Sequence, residues 1–212
     1  SGGLAIQDIG QVINGSFTVD HGTNSLISVT PADPDSLLLL GSQHGSQEAT
    51  YRVVFGRPSE AKYLGLSDFF VRNEDEVPPI GVRPGYSTAG LATVRFDGEA
   101  RSWIALGDNG HRKESWLVCT DPPATFHARE GQPYRVRHQV LFGNEHRTRF
   151  RIWPEGEQEP GGWLCEESGD AIPSHLPRFS AASFGLFMHT GIGTAWSDIR
   201  VAALTESEVH GG

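Results

Sequence analysis

Arginine at every second position is the first chemistry this chain offers. The segment Tyr134-Arg-Val-Arg-His-Gln-Val-Leu-Phe142 carries Arg135 and Arg137, and Arg147-Thr-Arg-Phe-Arg-Ile-Trp153 carries Arg147, Arg149 and Arg151. A spacing of two places side chains on one face of a β-strand. The residues between them, Tyr134, Val136, His138, Val140 and Phe142, then Thr148, Phe150 and Ile152, make an opposite and mostly apolar face. The turn Gly143-Asn144-Glu145-His146 joins the two segments as a hairpin. Matching the apolar sets puts Arg137 opposite Arg151 and Gln139 opposite Arg149. Like charges placed directly opposite destabilise a sheet unless something neutralises them.

Two readings satisfy that requirement. Carboxylates of neighbouring strands, or solvent, would screen the strip. Alternatively the strip binds an anionic ligand through planar guanidinium forks, with Trp153 as a stacking surface. Residues 129 to 151 hold six Arg and two Glu, a local excess of four positive charges in a chain of formal net charge −9. The overall charge excludes a general nucleic-acid binder, which needs a basic surface. Of the 17 basic residues only Lys62 and Lys113 are lysine, which reads as compositional bias.

The elements that must position this strip are strands. Alternation marks Ala49 to Phe55, with Tyr51, Val53 and Phe55 on one face, and likewise Leu91 to Phe96 and Ser102 to Leu106. Further strands are expected at Phe17 to Val19, Leu26 to Val29, Leu37 to Leu40, Lys62 to Val71, Trp116 to Cys119, Phe184 to His189 and Ala195 to Ala203. Only Ser59 to Leu66 and Thr205 to Val209 have short helical patterns. Gly and Pro total 39 of 212 residues, about 18% against a usual share of roughly 12%. Many short strands with Asn-Gly, Asp-Gly and Asp-Pro punctuation indicate an all-β, two-sheet antiparallel sandwich or barrel. Asn73 to Gly90, acidic and then Pro/Gly-rich, reads as one long surface loop. The chain is taken as a single domain, 1–212, and no apolar run is long enough for a membrane helix.

Catalytic patterns are thin. A retaining glycosidase needs two carboxylates about 5–5.5 Å apart. Glu74-Asp75-Glu76 has the spacing but sits beside Pro78-Pro79, and the adjacent Glu166 and Glu167 would point to opposite faces of a strand. Nine histidines include no His-x-x-x-His pair, and there is no Cys-x-x-Cys. His138 reads as a satisfied core histidine. His189, out of phase with Phe184 and Leu186, is the histidine assigned to the ligand-facing set. Cys119 and Cys165 could pair or stay free. Ser1-Gly2-Gly3 opens without a secretory signal, so any signal would lie outside this chain.

The segment Arg149-Phe-Arg-Ile-Trp-Pro-Glu-Gly-Glu-Gln-Glu-Pro-Gly-Gly-Trp163 resembles a motif of concanavalin A-like jelly-roll domains, of the LamG-like kind, in bacterial extracellular and phage tail proteins. Ser183-Phe-Gly-Leu-Phe-Met-His-Thr-Gly191 and Gly193-Thr-Ala-Trp-Ser-Asp-Ile-Arg-Val201 are similar to the last two strands of that fold. Ser197 stands where the family usually has an acidic residue, and the likeness covers the last third of the chain. It implies a jelly roll with one concave sheet and an extracellular or virion-associated setting. Within the motif, Trp153, Pro160 and Trp163 suit structural roles, with Trp163 as a hydrophobic plug over the sandwich edge; sugar stacking is the other use. Calcium is common in such domains, and Asp33, Asp35, Asp108, Asn109 and Asp198 offer oxygens, but no cofactor is predicted. The Glu-apolar-Asp-x-x-Glu string of laminarinase-like members is absent, as are the Gln-Ile-His and Tyr-x-Lys strings of alginate-lyase-type members.

The resulting expectation is non-catalytic recognition of a glycan, acidic ones included, through a concave face bearing Arg135, Arg137, Arg149, Arg151, Trp153 and His189. No nucleic-acid or membrane partner is expected. The alternatives are a glycoside hydrolase or polysaccharide lyase, with His189, Tyr134 or Tyr51 as base, and a structural assembly domain whose arginine face a neighbouring subunit covers.

Overall fold

A computed structural model describes residues 12–13, 17–19, 25–26, 40–56, 64–72, 86–94, 99–105, 115–118, 124–143, 146–167, 180–188 and 194–205. Among them every regular element is a strand. One sheet holds β1 (Val12–Ile13), β2 (Phe17–Val19), β5 (Gln47–Val54), β11 (Pro133–Leu141), β12 (Arg147–Pro154), β13 (Cys165–Glu167) and β15 (Thr194–Ala203). The other holds β3 (Ser25–Leu26), β4 (Leu40–His44), β6 (Leu64–Arg72), β7 (Tyr86–Val94), β8 (Glu99–Ala105), β9 (Ser115–Val118), β10 (Ala124–Thr125) and β14 (Ala181–Met188). All pairings among the described residues are antiparallel, so the two-sheet sandwich is the architecture observed, as strand rhythm (sandwich or barrel) and the jelly-roll resemblance led one to expect.

The first sheet runs β15–β5–β11–β12–β13, and this order places the arginines. Along β5 burial alternates strictly: Ala49, Tyr51 and Val53 point inward, while Glu48, Thr50 and Arg52 point outward. The hairpin register is the one its apolar pattern requires, with Arg137 opposite Arg151 and Gln139 opposite Arg149. Tyr134, Val136, Val140, Phe150 and Ile152 fill the space between the sheets, against Leu66, Phe69, Ala92, Phe184 and Leu186 of the other layer. Ring contacts cross that gap, Tyr51 to Phe184 at 6.2 Å and His138 to Phe69 at 4.9 Å between centroids. Full burial of each such side chain stabilises the fold by about 1.5–3 kcal/mol.

Three expectations need correction. Residues 86 to 90, read as part of a loop, are the first half of β7. Their Gly content marks a close approach between sheets: a Cβ at Gly90 would lie 2.3 Å from Thr148 Oγ1 on β12, so only glycine fits there. Leu64 to Leu66, inside a short helical pattern, belong to β6, because pairing with β7 overrides weak local propensity. Trp163 is no plug over the sandwich edge; it lies over guanidinium groups on the outer face. Residues 73–85, His189, Cys119, Asp33, Asp35, Asp108 and Asn109 lie outside the described residues. Cys165 is disulfide-bonded.

Candidate functional site

The outer face of the first sheet is built of rungs set by strand register. In one rung Glu48, Gln139, Arg149 and Glu166 sit side by side on β5, β11, β12 and β13. Their polar atoms form an unbroken row. The Gln139 amide donates to Glu48, Arg149 Nε donates to Gln139 Oε1 at 2.6 Å, and Arg149 Nη1 donates to Glu166 Oε1 at 3.2 Å. Arg147 Nη1 reaches the same Glu166 oxygen at 3.3 Å. The strands themselves supply every hydrogen-bonding and ion-pair partner named in this row, and the Arg149 side chain is only 2% exposed.

The next rung runs Arg200, Thr50, Arg137 and Arg151 across β15, β5, β11 and β12, and here the strands offer three positive charges and no acid. The segment after β12 supplies it. Glu159 Oε1 accepts from Arg137 Nε at 2.6 Å and pairs with Arg151 Nε at 2.7 Å, while Arg137 Nη1 turns to Glu48. Arg151 Nη1 donates to the Pro160 carbonyl at 2.6 Å. The Trp163 ring lies 4.4 Å from the guanidinium carbons of Arg149 and of Arg151, a cation–π cover on both. The hydrogen bond from Glu159 raises the Arg137 pKa, against the effect of burial. Burial pushes the Glu159 carboxyl up, but Arg137 and Arg151 outweigh it and hold that group below the usual carboxylate range.

The third rung carries Ser197, Arg52, Arg135 and Trp153 across β15, β5, β11 and β12. Again two arginines stand side by side. One Glu155 carboxylate bridges them, Oε2 accepting from Arg52 Nε and Oε1 pairing with Arg135 Nη2, both at 2.8 Å. Asp198 Oδ2 lies 3.0 Å from the same Arg135 nitrogen. It gets there through a bulge: β15 spends three residue steps from Ser197 to Arg200 where β5 spends two, and Asp198 takes a left-handed φ of 53°. The Arg52 and Arg135 side chains remain 31% and 36% exposed. Arg200, opposite Thr50, is exposed on the same face.

The five expected site residues within the described chain therefore share one face, but not one environment. Arg137, Arg149 and Arg151 are enclosed by internal partners, as the screening reading required. Arg135 is open, Trp153 is half-buried beside it, and His189 lies outside the described residues. Sequence reasoning did not find Glu48, Arg52, Glu155, Glu159 or Arg200. The polar phase of Ala49 to Phe55 marked Glu48 and Arg52 as outward; only the remote pairing of β5 with β11 makes them neighbours of the strip. Asp198, considered as a calcium ligand, is committed to Arg135, and no group of three or more metal-binding side chains occurs among the described residues.

Of the three bases named for an enzyme, the two within the described residues face the other way. Tyr51 and Tyr134 are buried in the core, and burial raises both phenols, opposed by smaller hydrogen-bond effects from Ser67 and from the Arg129 backbone respectively. Tyr51 donates to Ser67 Oγ at 2.9 Å, and Ser67 lies 2.8 Å from His138 Nδ1. His138 Nε2 is 3.4 Å from Thr148 Oγ1, which fits a neutral ring protonated at Nε2, as this network assigns it. A serine this close to a histidine has nucleophile–base spacing, but both side chains are fully buried, and the pair acts as a polar tie between the sheets.

No protein-family model matches the chain, and neither does any curated protein. Among the solved structures that share its architecture are two polysaccharide lyases. A marine alginate lyase from Aplysia kurodai superposes with a TM-score of 0.51 at 11% identity, covering 89% of this chain and 82% of that one. An endo-β-1,4-glucuronan lyase from the fungus Trichoderma reesei gives 0.51 at 13% identity, covering 98% and 95%. At these identities the likeness is one of fold.

Proposed function

We propose that this is a glycan-recognition domain of the concanavalin A-like class, binding a carboxylated saccharide on the open end of its arginine face without cleaving it. The observation that carries the reading is the pair Arg52 and Arg135 on adjacent strands, partly exposed and backed by a rigid sheet, with Arg200 exposed on the same face one rung away. Planar guanidinium forks suit carboxylates, and ion pairs already fix the orientation of two of them. Trp153, next to Arg135 in the same rung, offers an apolar surface for a sugar ring. The same sandwich carries lyases named for alginate and for glucuronan, both carboxylated polysaccharides, so the architecture accommodates such a polymer.

Recognition is favoured over catalysis because Tyr51, Tyr134 and His138 are sealed in the core, away from the arginines. An extracellular or virion setting suits both the disulfide at Cys165 and an acidic polysaccharide ligand. Calorimetric titration with tetragalacturonate and with a neutral tetrasaccharide tests the reading. Only the acidic sugar is expected to bind, more weakly at high salt, and Arg52→Ala with Arg135→Ala is expected to abolish the heat. Equal binding of the neutral sugar, or none of either, would sink the proposal. Unsaturated product in the titration cell would make the protein a lyase.

A further inference from the structure

Glu155 differs from the other carboxylates of this face in what holds it and what it holds. Its two oxygens are shared between two arginines of neighbouring strands, with Arg52 Nε and Arg135 Nη2 each at 2.8 Å. A free carboxylate entering this face would meet the same two donors with the same geometry. The side chain is 29% exposed, so solvent already reaches it. Its main chain is pinned: Glu155 N donates to the Pro133 carbonyl at 3.0 Å. Glu157 N closes a turn onto the Pro154 carbonyl at 3.2 Å around Gly156, whose φ of 90° suits glycine. Glu155 can therefore leave the two arginines by side-chain rotation alone, with the backbone in place.

Glu159 is as exposed, at 30%, but is held by more contacts. Two hydrogen bonds from Arg137 and an ion pair with Arg151 hold its oxygens, and its neighbour Pro160 is itself tied to Arg151 through its carbonyl. Asp198, the other acid at the open end, pairs with Arg135 and is 47% exposed.

We infer that the Arg52–Arg135 pair is the anchor subsite for the carboxylate of one uronic-acid residue, and that Glu155 is an internal competitor occupying it. The inference rests on the proposed reading of this face and names the subsite within it. Ligand binding exchanges one carboxylate for another at fixed arginines, so the domain binds weakly until a polymer presents many carboxylates in series.

Titrating tetragalacturonate into wild-type protein and into Glu155→Gln, at low and at high salt, tests this. Removing the internal acid is expected to tighten binding about tenfold and to steepen its salt dependence. Adding Arg52→Ala to Glu155→Gln is expected to return the affinity to the wild-type level or below it. Should Glu155→Gln fail to fold, Glu155→Asp, too short to span both arginines, is expected to bind more tightly than wild type. A variant binding no better than wild type, where wild type binds, overturns the competitor while leaving the acidic-glycan reading intact. Absence of binding by both proteins removes that reading and the competitor with it. A sulfated tetrasaccharide lacking carboxylates is expected to bind less tightly than tetragalacturonate to Glu155→Gln; the reverse order would reassign the subsite to sulfate.

Discussion

The rung at Glu48, Gln139, Arg149 and Glu166 and the rung at Arg52 and Arg135 lie on one sheet face, four residues or roughly 13 Å apart along β11. The first alternates acid, amide, base and acid, and each group's partner is its register neighbour. The second sets base beside base and borrows its acid from a loop. A row built around the buried, partnered Arg149 serves as structure, because opening it strands that charge away from water. An open row held by a single bridging carboxylate is poised for exchange. Along one strand, the source of the neutralising charge decides which role an arginine takes.

The sharpest way to break this contrast is at the closed end. Arg149→Ala removes a guanidinium that Gln139, Glu166 and Trp163 all contact, and is expected to cost about 3 kcal/mol of stability. A urea midpoint unchanged from wild type would show the row to be ornamental.

Proton linkage sharpens a second contrast, between the inner and outer faces of β11. Burial depresses the His138 pKa to about 3, so the folded protein keeps this ring neutral where an unfolded chain takes up a proton, below about 6.5. The unfolded state then binds more protons, and stability falls as pH drops from about 6.5 toward 3. From pH 6.5 to 4.5 this residue alone is expected to cost about 2 kcal/mol. Glu155, held down chiefly by the Arg52 hydrogen bond, and Glu159 act lower. Their contribution is complete above about 4.5 and is lost as pH falls through their depressed values. Urea midpoints across this range check the assignment, and a His138→Gln protein whose profile keeps the upper slope would refute it.

The smallest expected stability effect is at Arg200, exposed one rung from the Arg52–Arg135 pair. Arg200→Ala should change stability by less than about 0.5 kcal/mol, as for most exposed sites. Affinity for tetragalacturonate should nevertheless fall several-fold. A stability loss rivalling that of Arg149→Ala would erase the distinction between the two ends.

The hairpin was legible because two strands of complementary alternation joined by a short turn admit one register. Arg137 opposite Arg151 followed without any tertiary information. The acids that answer those arginines were not legible. Glu48 comes from a strand some 90 residues away, and Glu155 and Glu159 from a segment whose folding back over the sheet no local pattern encodes. Trp163 was recognised as special, but its aromatic bulk suggested a core, and cation–π packing on two arginines leaves no mark in hydropathy. Gly90 misled in the opposite sense. Its composition says loop, while its environment is the closest passage between β7 and β12.

The bulge in β15 has an implication for how this surface could arise. Trp196 and Ile199 both face the core, although three positions separate them. With Asp198 struck out, Trp196, Ser197, Ile199, Arg200 and Val201 would read as plain alternation, inward and outward in turn. Asp198 is thus the extra residue of the bulge, which leaves the interior in phase and adds a single carboxylate beside Arg135. Surface chemistry on such a sheet can be altered by insertion as well as by substitution, without disturbing the core beneath it.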